Sequence, residues 1–270
     1  MIYFILRYIL HYRHKVIIEN LRNAFPEKNA KQLQTIENKY YHHMADIICQ
    51  TLITPFLSPK AMKSRFVVTN IEVLNAIADK GINVASVFGH YANWEWAIAQ
   101  PLYTDKIHFT TVYKKIANKW ADRFMLKTRS KYGVECIEHK NSIRQMLRLQ
   151  RNERPNVFTF IADQTPTRQA THYWIQFLSQ PTAIISGWAE LAIKQHWAAI
   201  YLDIKPNGRG KYKATYHLIA EDCSDYSVEY LLTQYMSCLE QNIRLHPELW
   251  LWSHRRWKLR YNGEPLINAQ

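Results

Sequence analysis

His90 and Glu95 stand five positions apart in Gly89-His90-Tyr91-Ala92-Asn93-Trp94-Glu95. Inside one helix that spacing sets two side chains about 140° apart. They meet only if His90 lies in the turn ahead of a helix and Glu95 in its first turns. Gly89 supplies a flexible bend for this. In that geometry Glu95 accepts the proton of one imidazole nitrogen. The other nitrogen is left as a base whose protonated form is stabilised. Such a base can activate a hydroxyl. The blander alternative is a structural histidine beside a surface glutamate.

Two further segments carry polar residues suited to a site. Asp163 and Gln164 end the apolar run 157–162 and precede Thr165-Pro166; an aspartate here is equally a turn former. Residues 246–258 hold three Trp, two His and three cations. Arg255 and Arg256 in it are suited to hold phosphate, since a guanidinium donates in a bidentate fork. The same segment also reads as a solvated basic face with Trp anchors. Residues 114–131 carry a net charge of +6, with Asp122 the lone acid. So few interleaved acids point to an acidic partner surface.

These residues need elements to position them. Runs at 83–88, 107–113, 134–137, 157–162, 199–204 and 211–218 read as strands. Stretches at 92–99, 117–130, 142–150, 183–196 and 227–245 read as helices. The alternation implies an α/β fold, a mixed and mostly parallel sheet flanked by helices. Ligands in such sheets sit at the carboxyl ends of strands. Residues 19–52 read as helical with a break at Pro26. The expected division is an N-terminal helical, membrane-associating segment over 1–65 and an α/β domain over 66–270, together one functional unit.

Composition narrows the function classes. The 270 residues are 47% hydrophobic, which excludes a disordered chain. There are only seven glycines, and neither GxxxxGK[ST] nor GxGxxG occurs. GxSxG and HExxH are missing too. What remains is a histidine base with no cofactor and no metal. The net charge of +13 calls for an anionic partner, either nucleic acid or a membrane or acidic surface. The 9 Trp and 17 Tyr lean toward a membrane. The four cysteines form no CxxC and read as reduced core residues. The apolar run 2–10 contains Arg7 and is too short to span a bilayer. It reads as a core-docking helix, or as a membrane-surface helix or the tail of an anchor.

The Gly89–Glu95 segment resembles the HX4(D/E) dyad of the glycerolipid and lysophospholipid acyltransferase superfamily. Its particular form resembles the late (secondary) acyltransferases of lipid A biosynthesis, lauroyl- and myristoyl-transferase type. Further blocks are similar, in order. They are Asn20-Leu21-x2-Ala24-Phe25-Pro26, Arg129-x3-Gly133, Asp163-Gln164-x-Pro166, Phe177-x3-Pro181-Thr182, and His246-Pro247-Glu248-x-Trp250-x-Trp252-x-His254-Arg255-Arg256-Trp257-Lys258. Together they span about residues 16–258. Ala92 stands where the family usually has Gly, and Leu178-Ser179 replaces its usual Phe-Gly. The family's N-terminus is usually longer and apolar, which favours the anchor reading of 2–10.

The resemblance implies transfer of a fatty acyl chain from an acyl carrier protein to a hydroxyl of a phosphorylated lipid A precursor. His90 would be the general base and Glu95 would orient it. Arg129 would bind phosphate or stabilise developing charge, with Asp163 holding the architecture around it. The partners implied are the carrier protein, the glycolipid and a membrane surface, with no nucleic acid. The implied location is the cytoplasmic face of a bacterial inner membrane, peripheral or singly anchored. The alternative acceptor is another membrane glycolipid of the mannosylated phosphatidylinositol type. A basic nucleic-acid-binding protein is the alternative from another class.

Overall fold

A computed structural model describes residues 1–261 and 263–267. The chain opens with α1 (Ile2–Phe4), a π-helical turn (Ile5–Ile9), α2 (His14–Ala24), α3 (Ala30–Ile53) and α4 (Pro59–Lys63). Then follow β1 (Phe66–Val68), α5 (Ile71–Asp79), β2 (Val84–Phe88), a 3-10 helix (Trp94–Leu102), β3 (His108–Tyr113), α6 (Lys119–Arg129), β4 (Val134–Glu138), α7 (Ser142–Leu149) and β5 (Asn156–Ile161). The last third contains β6 (Trp174–Phe177), β7 (Gln180–Ala183), α8 (Gly187–Lys194), β8 (Ala198–Pro206), β9 (Tyr212–Ala220), α9 (Val228–Leu245) and β10 (Leu266–Ile267).

The main sheet has the order β1-β9-β8-β2-β5-β3-β4. Its pairs are parallel except β8–β9, an antiparallel hairpin. The expected mixed, mostly parallel sheet flanked by helices is therefore present. Val84–Phe88 is buried at every position, as a central parallel strand covered on both faces must be. α9 turns Leu231, Leu232, Tyr235, Leu239 and Ile243 inward at helical spacing. Its N-terminus is capped by Ser227, whose hydroxyl accepts from the Tyr230 amide.

A second, small sheet has the order β10-β6-β7. The expected helix over 183–196 starts only at Gly187, because Gln180–Ala183 pairs with Trp174–Phe177 as a hairpin. Leu178 and Ser179 form its two-residue turn, both at positive φ, 48° and 62°. Glycine or asparagine is usual in such a turn. Leu178 holds the conformation by complete burial. The expected 92–99 helix is a 3-10 helix over Trp94–Leu102 containing Pro101. Of the four cysteines, all free, only Cys223 is fully buried and Cys49 is exposed, so core packing does not explain them as a set.

The N-terminal helices reach far along the sequence. Asn29 and Gln32 form a reciprocal capping box that starts α3 after the Pro26 turn. From α2, the Asn20 amide donates to the carbonyls of Trp252 and His254, both at 2.8 Å. From α3, the Tyr40 hydroxyl accepts from the Ser253 amide. The first turns dock on α3 through stacking of Tyr3 on His42 and an ion pair from Arg7 to buried Glu37 at 3.2 Å. Among the described residues no helix is long and apolar enough to cross a membrane.

His43 lies buried in α3, where burial pushes its pKa down from 6.5 to about 4. The folded imidazole is therefore neutral at pH 5–6, while the unfolded one is protonated. Stability must fall as pH drops from about 6.5 toward 4, by up to ~3 kcal/mol from this group. Chemical denaturation at pH 7 and pH 4.5 is expected to show a steeper loss in wild type than in His43→Gln.

Candidate active site

β2 and β5 are parallel neighbours with Phe88 opposite Ile161. Two residues past those partners, at the carboxyl ends of the strands, come His90 and Asp163. That register brings together side chains separated by 73 positions in sequence. His90 Nδ1 lies 2.6 Å from Asp163 Oδ1, and the His90 amide donates to Oδ2 at 2.8 Å. Trp250, from the terminal segment, donates its indole N–H to the same Oδ2 at 2.8 Å.

This carboxyl is buried, and burial on its own would push its pKa up. The His90 charge, then the hydrogen bonds from His90 and Trp250, outweigh burial and hold it below the ordinary carboxylate range. An ionised Asp163 can only accept, so His90 Nδ1–H donates, and in the neutral ring Nε2 then keeps the lone pair. The Gln164 amide nitrogen, 3.3 Å from Nε2, fits that tautomer as a donor. The His90 side chain keeps 18% of its surface, while that of Asp163 keeps 2%.

The expected contact between His90 and Glu95 is not made. Glu95 is the second residue of the 3-10 helix, and its side chain turns to α6. There Arg129 grips it in a fork, Nη2 to Oε1 at 2.7 Å and Nε to Oε2 at 3.1 Å. Burial alone would lower the Arg129 pKa, but Glu95 raises it, so the guanidinium stays charged. The partner of His90 comes from the next strand, which spacing along one segment cannot reveal.

The turn carrying His90 is held by the terminal segment. The Ala92 amide donates to the Leu249 carbonyl, and the Leu251 amide to the His90 carbonyl. Gly89 does not serve as a flexible bend. Its backbone is not left-handed, and a Cβ there would lie 2.7 Å from Leu239 Cδ1 and 3.1 Å from Asp163 Oδ2. Glycine fits because a Cβ would overlap the Leu239 side chain and press on the carboxylate. The left-handed residue is Ala92, at φ 49°.

The two arginines of the terminal segment part company. Arg256 is 1% exposed and donates to the Ala183 carbonyl, and burial lowers its pKa to about 10 despite nearby Asp163. It cannot reach a phosphate in solvent, which corrects the expectation for it. Arg255 is exposed and borders an open cleft with His254 and Lys258. His254 Nε2 lies 3.3 Å from the Thr165 amide, beside Gln164. Burial and then Arg256 push the His254 pKa down to about 4. Trp250 is the site residue that sequence reasoning passed over. Its signal was present in the Trp-rich terminal segment, but nothing there marked which indole meets a carboxylate.

At Ala92 a β-branched side chain is far less tolerated at positive φ than alanine, and no space surrounds the buried methyl. Ala92→Val is expected to lose about 2 kcal/mol or more. Ala92→Gly should stay within about 1 kcal/mol of wild type, because relief of backbone strain offsets added chain entropy and a lost methyl. Denaturant midpoints of the two variants check this.

A search of curated proteins returned no match. A family model described as bacterial lipid A biosynthesis acyltransferase matches residues 3–259. That match takes in both strand ends, Arg129 and the terminal segment that holds them, and the chain belongs to the bacterial lipid A biosynthesis acyltransferase family.

Proposed function

We propose that the protein transfers a fatty acyl chain from an acyl carrier protein thioester to a hydroxyl of a lipid A precursor, with His90 as general base. The observation that carries this reading is the His90–Asp163 contact. A buried carboxylate takes Nδ1–H and leaves Nε2 basic beside partly open space. Nε2 removes the proton of the acceptor hydroxyl as its oxygen bonds to the thioester carbonyl carbon. The tetrahedral oxyanion then collapses, the C–S bond breaks, and the imidazolium returns its proton to the departing thiolate. Asp163 stabilises the imidazolium in between. In this reading Asp163 holds the position first given to Glu95.

Glu95 and Arg129 act as a second unit. The fork uses Nε–H and one Nη2–H, leaving further N–H groups for the oxyanion or an acceptor phosphate. The basic face of α6 suits the acidic carrier protein or anionic headgroups. α6 packs beside the 54–56 turn. Trp120 of α6 and Phe56 of that turn are 75% and 84% exposed, suited to a peripheral position on the cytoplasmic face of the inner membrane.

Radiolabelled acyl transfer to membrane lipid tests the base. His90→Ala should lose roughly 10²–10⁴-fold in rate with the fold intact. Asp163→Asn should lose at least about tenfold, since Nδ1–H then has a weaker acceptor. A folded His90→Ala protein that turns over near normally would sink the assignment.

A double-mutant cycle separates the two carboxylates. Glu95→Gln and Arg129→Gln should each slow transfer, and the double variant should be no slower than the worse single one. Glu95→Gln combined with Asp163→Asn should multiply the two losses. The reverse pattern would return Glu95 to His90.

A further inference from the structure

A cleft of about 910 Å³ opens where the N-terminal turn meets the terminal segment. His11, Arg13 and Lys15 border it from the first, and His254, Arg255 and Lys258 from the second. Among the described residues no carboxylate lines it. Glu37, bonded to His14, is already taken up by Arg7 and His14. The side chains of Lys15, Arg255 and Lys258 make no hydrogen bond or ion pair with described residues. Arg13, Lys15, Arg255 and Lys258 gather four positive charges with no carboxylate in the lining, which favours an anion there.

Of the four cations, Arg13 is anchored. Arg13 donates Nη1–H to the Ser253 carbonyl at 3.0 Å, which ties the turn to the segment carrying Arg255. The Tyr41 hydroxyl donates to the Tyr12 carbonyl. His11 and Arg13 both adopt left-handed backbone, at φ 46° and 52°. Such backbone costs ~1–2 kcal/mol per residue and persists only where its surroundings enforce it. His254 adds a directed donor. The Thr165 amide can only donate, so Nε2 accepts and the neutral ring carries its proton on Nδ1. Thr165 directly follows Asp163 and Gln164, the residues at His90. The cleft and the base are thus joined through one loop.

We propose that this cleft binds a phosphate group of the glycolipid acceptor and so sets the acceptor hydroxyl at His90. The proposal rests on the acyl-transfer reading for the identity of the acceptor. A concave site of this volume suits a small headgroup better than the face of a protein. A phosphate monoester supplies up to two negative charges and several acceptor oxygens to these donors. Arg13 and Lys15 make the N-terminal segment part of the binding site, a role separate from any contact with a membrane.

Isothermal titration of the full chain with a phosphorylated glucosamine disaccharide lacking acyl chains tests the cleft. The dephosphorylated disaccharide is the control. The phosphorylated form should bind at least about tenfold more tightly. Arg255→Gln/Lys258→Gln should weaken it about tenfold, and Lys15→Gln, from the other segment, severalfold. All three side chains are exposed, so the variants should fold, which circular dichroism verifies. Equal affinity for the two disaccharides, or unchanged affinity in the variants, overturns the proposal. A second arm uses phosphatidylglycerol vesicles. Variants that lose vesicle binding while keeping the disaccharide would assign the cleft to membrane lipid and also overturn it. A protein that binds the phosphorylated disaccharide as expected yet transfers no acyl chain would count against the catalytic reading alone.

Discussion

Asp163 accepts three hydrogen bonds from inside the protein, two from His90 and one from Trp250. A buried carboxylate costs several kcal/mol in lost hydration, and only a full set of donors offsets it. Each donor imposes a condition on the fold. The His90 amide and ring require β2 and β5 to be adjacent, parallel and in register. The Trp250 indole requires the terminal segment to cross over both strand ends. Position 89 favours glycine, since a Cβ would overlap Leu239 and press on the carboxylate. A single buried charge thus fixes the order of the sheet's centre and the path of a segment more than 80 residues downstream.

The terminal segment cannot meet that condition unaided. It is short of regular structure and carries three Trp that must be covered. α2 and α3 supply the cover through Asn20, Arg13 and Tyr40, which bind the backbone from Trp252 to His254. The N-terminal helices are therefore part of the framework of the site. Their packing transmits to His90 through two backbone hydrogen bonds, from Ala92 to Leu249 and from Leu251 to His90.

Much of this was legible in the sequence. The buried runs at 83–88 and 157–162 marked the two central strands, and their polar ends marked His90, Asp163 and Gln164. Spacing misled at Glu95. An interval of five reads as a local pair, while the true partner depends on strand order, which is a non-local property. Arg255 and Arg256 are adjacent and of one type, and nothing in the sequence says which of the two the fold buries. The hairpin at 174–183 was hidden because its turn is Leu178-Ser179, where packing of a buried leucine overrides turn propensity.

The charges around His90 divide into two balanced sets. Inside, the negative Asp163 faces the buried Arg256, which stays protonated at neutral pH with a pKa of about 10. Toward solvent, Glu95 neutralises Arg129. With His90 neutral, the four charged groups sum to zero. In the proposed mechanism, proton transfer to His90 makes one new positive charge as the oxyanion forms one new negative charge. The low-dielectric interior strengthens the attraction between those two new charges. Had Glu95 been the partner of His90, Arg129 would have lost its counter-charge. The observed pairing avoids that cost, which is a physical reason for the carboxylate of the neighbouring strand, rather than the one in the same segment, to hold His90.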